Sequence, residues 1–255
     1  MLQAIDHLVV LVLDLDAAVK TYRDLGFTVV AGGRHRSGAI RNALIAFRDT
    51  AYLELAGFDE PSPAHRWWAA LGRGGGLVDV ALQTDDLVGD AKTLRQAGVD
   101  LGELEPVGRH RPDGFEVRAV VARTRGAHRG VTPFLIADET PRDERVPRER
   151  AHANGVSGIG TITVAVDDLA AVRRWHAAAA GPSGEDVARP ELGAAGARFS
   201  LGPHTFEFLA PTGAGAIRDW LGARGPSPYA ATLVGARRHG PLDLARTFGA
   251  RLALA

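Results

Sequence analysis

Three segments of this chain repeat one pattern, and that pattern limits the fold more than any other feature. They are HLVVLVLDLDAAVKTYRDLGFTVV from His7, DVALQTDDLVGDAKTLRQAGVDL from Asp79 and TITVAVDDLAAVRRWHAAAAG from Thr161. Each is a β-patterned run, an Asp-Leu pair, roughly ten residues of helical pattern and a glycine. The pairs are Asp14-Leu15, Asp86-Leu87 and Asp168-Leu169, spaced by 72 and 82 residues. An aspartate there accepts from the unpaired N–H groups of a helix's first turn. Gly26, Gly98 and Gly181 suit helix ends. β-Patterned sequence follows each helix, at 27–30, 39–47 and 52–58, at 103–107, 116–123 and 132–137, and at 186–188, 195–201 and 205–209. Each unit reads β-α-β-β-β. A shortened fourth is expected, with a strand near 229–236, a helix near 242–248 and a strand at 251–254.

Two connectors stand apart. Residues 61–76 predict a helix capped by Ser62, with Pro63 in its first turn and Trp67, Trp68 and Leu71 packing, ending in three glycines. No Gly-Lys-Ser/Thr follows them, so they are not a phosphate loop. The stretch ADETPRDERVPRERA is charged and proline-containing and reads as a linker. The expected division is a two-module domain at 1–138, a linker at 139–151, and a domain at 152–255 with one full and one shortened module.

Composition excludes several chemistries. There is no cysteine, so disulfides, thiolate metal sites, Fe–S clusters and cysteine nucleophiles are absent. Lys+Arg and Asp+Glu are 30 each, which argues against a nucleic-acid partner. Lys20 and Lys92 are the lysines, both on expected exposed helix faces. The start, MLQAIDHLVVLVLDLD, lacks a basic region and is interrupted by Asp6 and Asp14, unlike a secretory signal. No stretch approaches a membrane span. The expectation is a cytoplasmic protein with no membrane partner. No Gly-x-Gly-x-x-Gly, nucleophile elbow, His-x-x-x-His or His-Glu-x-x-His is found, and no nucleotide or flavin is implied.

A paired β-α-β-β-β repeat resembles the vicinal oxygen chelate superfamily, which includes glyoxalase I, extradiol dioxygenases and bleomycin- and fosfomycin-resistance proteins. IDHLVVLVLDLDAAV and AYLELAGF carry the likeness in the first unit. GRHRPDGFEVR, TPFLIADETPRDERVP and HANG more narrowly resemble its glyoxalase-like family of unassigned activity. The resemblance covers nearly the whole chain. It implies an α+β fold of repeated modules forming half-open mixed β-barrels, each pair around a cavity. It also implies metal ligands on the first and last strands of each module.

Strand alternation locates the candidates. His7 shares a face with Ile5 and Val9, while Leu8, Val10 and Val12 form the apolar face under the helix. Tyr52, Glu54 and Ala56 share the face opposite Leu53 and Leu55. His7 and Glu54 thus point into one cavity, either as ligands to Zn, Mn, Fe, Ni or Co or as a neutral histidine bonded to a carboxylate. Asp79 is the third candidate ligand, at the position matched to His7, whereas Thr-Pro-Phe-Leu-Ile-Ala offers nothing where Glu54 aligns. In the third unit Thr161 replaces His7 and Glu207 aligns with Glu54. That domain reads as a lid, a homodimer surface or a degenerate copy. His35, Asn42, Arg109, Arg111, His152 and Asn154 are the candidate substrate contacts, and a cavity-facing guanidinium implies an anionic ligand. Asp113 lies in a Pro-Asp-Gly turn. Two functions follow. One is a metal-dependent lyase, isomerase or dioxygenase with His7 and Glu54 catalytic, Glu54 moving the proton. The other is a module that sequesters a small molecule.

Overall fold

The computed structural model describes residues 2–181 and 184–255. The first module is β1 (Leu2–Val12), α1 (Leu15–Asp24), β2 (Val30–His35), β3 (Ile40–Ala46) and β4 (Tyr52–Phe58). A short helix, α2 (Trp68–Leu71), leads to the second module: β5 (Gly76–Thr84), α3 (Leu87–Gln96), β6 (Leu101–His110), β7 (Glu116–Thr124) and β8 (Phe134–Asp138). After α4 (Arg142–Arg145) comes the third: β9 (Gly158–Ala165), α5 (Leu169–Ala180), β10 (Glu185–Arg189), β11 (Ala194–Leu201) and β12 (His204–Pro211). Then follow α6 (Ala216–Arg224), β13 (Ser227–Val234), β14 (Gly240–Pro241) and β15 (Leu252–Leu254).

The repeat is built as its caps dictate. Asp14 accepts from Ala17 N–H at 2.9 Å, Asp86 from Gly89 at 3.0 Å and Asp168 from Ala171 at 2.8 Å. Each helix then lays an apolar stripe on its sheet, Leu15, Ala18 and Tyr22 in α1. The expected helix at 61–76 shrinks to α2, because residues 63–67 form turns that carry Arg66 and Trp67 inward. The helix expected near 242–248 is a run of turns, and the helix of that region is instead α6, ahead of β13. Among the described residues no helix is long and apolar enough to cross a membrane.

The first two modules close a barrel in the order β1-β4-β3-β2-β6-β7-β8-β5. The expected barrel was half-open. The seam between β2 and β6 closes it through two rungs, Arg34 with His110 and His35 with Arg109. Glycine permits that approach: Gly33 has φ +124°, and a Cβ there would meet the His110 carbonyl at 1.9 Å. The third module and the tail form an open seven-stranded sheet, β10-β11-β12-β9-β13-β15-β14. One buried apolar cluster joins the two sheets, from Leu8 and Val10 through Tyr22 and Leu94 to Trp175 and Phe199.

Two β-bulges reset the alternation where it matters. One lies between Ile5 and His7, the other between Val9 and Val10 opposite Val78. A bulge turns two successive residues to one side. Ile5 therefore packs with Leu8 beneath the helices, not with His7 as alternation implies. Asp6 and His7 both turn inward.

The segment expected as a linker, 139–151, lies against the barrel. Arg142 reaches Asp6 at 2.6 Å and the Thr50 carbonyl at 2.8 Å. Arg145 is buried, ion-paired to Asp6 and Asp138, and donates to the Tyr52 hydroxyl at 2.9 Å.

Two outcomes follow from this packing. Gly33→Ala forces a Cβ into a backbone carbonyl at positive φ, and should cost about 1–3 kcal/mol. At this chain length that is a Tm drop of several degrees, read by calorimetry. An unchanged Tm would mean that the seam does not need glycine. The second outcome concerns His176, buried against Phe199 with ring centroids 3.7 Å apart and no partner for either nitrogen. Burial lowers its pKa to about 4. The unfolded chain then binds more protons than the native state between about pH 6.5 and 4, so stability falls as pH drops through that window. His176→Phe should raise Tm relative to wild type more at pH 5 than at pH 7.5; a pH-independent difference would contradict this.

Candidate active site in the first barrel

The barrel encloses a cavity of about 440 Å³. One wall carries the polar residues of the first module. The other is apolar: Ala81, Ala119, Val121, Phe134 and Ile136 pack there as one cluster.

Glu54 is the centre of the polar wall. β4 runs parallel to β1, placing Glu54 beside Val9 and Tyr52 beside His7. β3 runs antiparallel to β4 and brings in Asn42, two rungs from Glu54 and on its face. The closed seam brings in His35. Glu54 Oε1 accepts from Asn42 Nδ2 at 2.6 Å and lies 2.9 Å from His35 Nε2; its Oε2 lies 3.4 Å from His7 Nε2. Burial alone would raise the Glu54 pKa. The His35 hydrogen bond, the two histidines' charge and the Asn42 bond outweigh it and hold the carboxyl at about 2. Because Asn42 donates to Oε1, the consistent assignment for His35 is Nε2–H donating to the same oxygen. Its Nδ1 has no hydrogen-bond partner among the described residues.

His7 is fixed from both sides. Its Nδ1 lies 2.6 Å from Asp6 Oδ1, and its ring stacks on Tyr52 with centroids 4.7 Å apart. Asp6 has no exposure. Burial opposes its ionisation, but the Arg145 charge and the His7 hydrogen bond outweigh burial and keep it well below the usual carboxylate range.

The remaining candidates fall elsewhere. Asp79 lies opposite Val9, and Ala81 takes the place opposite His7. Asp79 Oδ2 accepts from the Trp67 indole at 2.9 Å and its Oδ1 from Val80 N–H at 3.1 Å. Asp79 is the second module's match to His7, seven residues before its capping aspartate and one residue after a bulge, but its oxygens are taken by Trp67 and Val80. Arg109 lines the cavity, but donates to the carbonyls of Gly32 at 3.0 Å and Arg145 at 2.6 Å. Arg111 lies outside it, bonded to Asp113 and to Glu144 at 2.7 Å. His152 accepts from Thr28 N–H and bonds the Ala46 carbonyl, both at 3.0 Å, between Phe27 and Phe47. Asn154 donates to the Leu25 carbonyl and accepts from Val156 N–H, both at 3.1 Å. These two residues tie the chain to the α1–β2 corner and do not reach the cavity. Sequence reasoning missed Asp6, Arg145, His65 and Arg66. Asp6 adjoins His7, which was a visible signal; the others lie in segments expected to be a linker and a helix.

The implied metal can be tested on strand register. In the second module Ala81 pairs with Phe134 as Val9 pairs with Glu54, so Asp79 and Phe134 stand where His7 and Glu54 stand in the first. Phe134 offers no ligand, and Asp79 is held by Trp67, Val80 and Arg66. Among the described residues no three His, Cys, Asp or Glu side chains are grouped to hold an ion. The residues present do not fit the four-ligand site.

In the second sheet the register is the same, with Thr161 beside Thr205 and Thr163 beside Glu207. Glu207 is neutralised there by Arg189 and Arg198.

An ion that binds only the folded state raises Tm. Mn, Zn, Ni, Co and anaerobic Fe(II) should each leave Tm within about 1 °C of the EDTA-treated protein. A saturable rise that His7→Ala abolishes would show that the pair binds a metal after all.

A family model described as a glyoxalase-like domain matches residues 5–180. A hypothetical protein from Staphylococcus aureus superposes with a TM-score of 0.70 at 12% identity, covering 98% of each chain. A mutant 4-hydroxymandelate synthase from Streptomyces coelicolor superposes at 0.65 and 18% identity, over 92% of this chain and 71% of that one. These likenesses show the fold. Methylmalonyl-CoA epimerase from Streptomyces coelicolor matches 55% of this chain and all of its own, at 28% identity and a TM-score of 0.44. Among curated proteins none matches.

Proposed function

The chain belongs to the glyoxalase-like domain family, within the vicinal oxygen chelate superfamily, and from that premise we propose that its first barrel is an enzyme site moving a proton on a small, oxygenated, anionic metabolite. The observation that carries the reading is the Glu54–His35 pair on the polar wall of the cavity, facing an apolar cluster. Five arginines and two glutamates are the charged residues that line it, which favours an anion. The division of labour differs from the one expected of the sequence. A carboxyl held at about 2 is a weak base at neutral pH. Glu54 instead fixes His35 with Nδ1 free, and His35 takes the proton.

The step balances without an oxidant. His35 Nδ1 removes a proton from a carbon next to a carbonyl. The C–H electron pair moves to the carbonyl oxygen, giving an enolate. Return of the proton to the other face completes an epimerisation. Where the reacting carbon carries a hydroxyl, transfer of that hydroxyl's proton to the enolate oxygen and return of the abstracted proton to the former carbonyl carbon completes an isomerisation. Expulsion of a β-leaving group with its bonding pair completes an elimination. His7, held by Asp6 and Tyr52, keeps Glu54 in place. No step here passes through a metal, because the donor set does not fit one.

The test is deuterium wash-in, followed by NMR, over a panel of 2-oxo acids and hydroxyketones. Wild type should exchange the C–H beside the carbonyl. His35→Gln should slow exchange about 10²–10⁴-fold, the usual range for a lost general base. Glu54→Gln should slow it too, with the fold retained. Ligands that raise Tm but exchange no proton would establish the sequestration reading in its place.

A further inference from the structure

We propose that Arg66 is an anion seat in the barrel cavity, which receives a carboxylate or phosphate group of the bound molecule. This rests on reading the cavity as the ligand site, and it names the group that makes the ligand anionic.

The Arg66 side chain is 11% exposed, yet its Nε and Nη2 have no hydrogen-bond partner among the described residues. Nη2 lies 2.8 Å from Asp79 Oδ2, but not in line for a hydrogen bond. Asp79 is already occupied, by Trp67 on one oxygen and Val80 on the other. The charge is therefore balanced while the donors are idle. A buried donor without an acceptor costs free energy that an arriving oxyanion recovers. Guanidinium is the group suited to such an acceptor, with parallel N–H donors matched to carboxylate and phosphate oxygens.

The other arginines lining the cavity either donate to acceptors or, like Arg36, are half exposed to solvent. Arg36 faces Glu116 at 3.5 Å, Arg123 pairs with Glu105, Arg109 spans two backbone carbonyls, and Arg145 holds Asp6. Arg66 stands apart from this pattern. Its guanidinium also lies 5.7 Å from the Phe134 ring centroid on the apolar wall, where water screens little.

A second observation points the same way. Arg66 and Trp67 also line a cleft of about 90 Å³ at the junction with the second sheet. Arg73, Arg129 and Arg224 line it too, with no carboxylate among its described lining residues. Burial lowers the Arg66 pKa, and the charges of Arg123 and Arg129 add to that effect against the attraction of Asp79. An anion at Arg66 relieves that crowding of like charge. The ligand therefore lies across the cavity, with its anionic group at Arg66 and its carbonyl at the Glu54–His35 end.

The experiment measures binding, not turnover. Tm titrations and calorimetry use inorganic phosphate, pyruvate, and methyl pyruvate as the uncharged control. Arg66→Gln is one variant. The pair Arg66→Gln with Asp79→Asn is the second, because it removes both charges while leaving Trp67 an acceptor. Wild type should bind phosphate and pyruvate saturably. Both variants should lose at least ten-fold in affinity for the anions and change less than two-fold for methyl pyruvate. His35→Gln should bind the anions within two-fold of wild type. Anion binding by a folded double variant at wild-type strength would overturn the seat, as would a wild type that binds neither anion. If the anions bind through Arg66 yet no proton exchanges, the seat stands and the proton-transfer reading falls. If exchange proceeds and the Arg66 variants bind like wild type, the reverse holds.

Discussion

A carboxylate with no contact with water organises the functional half of this molecule. Asp6 sits in the bulge of β1 and takes Arg145, Arg142 and the His7 ring together. An isolated buried charge is costly, and a buried pair is stable only when geometry and hydrogen bonds are complete. Here they are. Arg145 spends its remaining donors on Asp138 and Tyr52, and Tyr52 stacks on His7. One ion pair thus ties the 142–145 strap to the barrel and fixes the imidazole's plane. It also closes the cavity floor. Breaking it would leave an uncompensated buried charge, commonly a loss of about 3–5 kcal/mol.

Much of this was legible in the sequence. The Asp-Leu pairs fix three helices by capping, and local hydrogen bonding suffices for that. The alternating faces of β4 give Glu54 its direction, because no bulge interrupts that strand. What the sequence does not display is register. A single extra residue at Asp6 moves Ile5 to the opposite face from His7. That change is settled by the partner strand, not by the bulged strand's own pattern. Barrel closure was illegible for the same reason, since it depends on Gly33 accepting a carbonyl of β6, far away in sequence. Arg109 and His152 read as ligand contacts by residue type, yet their polar atoms serve backbone groups. A buried carbonyl or N–H needs a partner, and a side chain near one is taken up first.

The three modules show what one scaffold does with the same two positions. They hold His7 and Glu54 in the first, Asp79 and Phe134 in the second, and Thr161 and Glu207 in the third. The paired barrel needs no symmetry of chemistry, only of shape. With Phe134 in the place of Glu54 and Asp79 tied to Trp67, the cavity gains one mainly apolar wall opposite one hydrogen-bonded wall. A dry wall strengthens every charge that faces it, because fewer water dipoles oppose the field.

That asymmetry also orders the chemistry. Glu54 is ionised because His35, His7 and Asn42 converge on it, and the same contacts make it a poor proton acceptor. A carboxylate so placed is more useful as a fixed charge that selects one histidine tautomer, as in other carboxylate–imidazole pairs. The basic nitrogen is then His35 Nδ1, the one that Glu54 does not hold. A ligand lying there spans from His35 toward Phe134, over which Arg66 is poised. The polar end positions the reacting carbon and the arginine positions the molecule. Neither task requires a residue from the second sheet, whose equivalent glutamate is already neutralised by two arginines of its own.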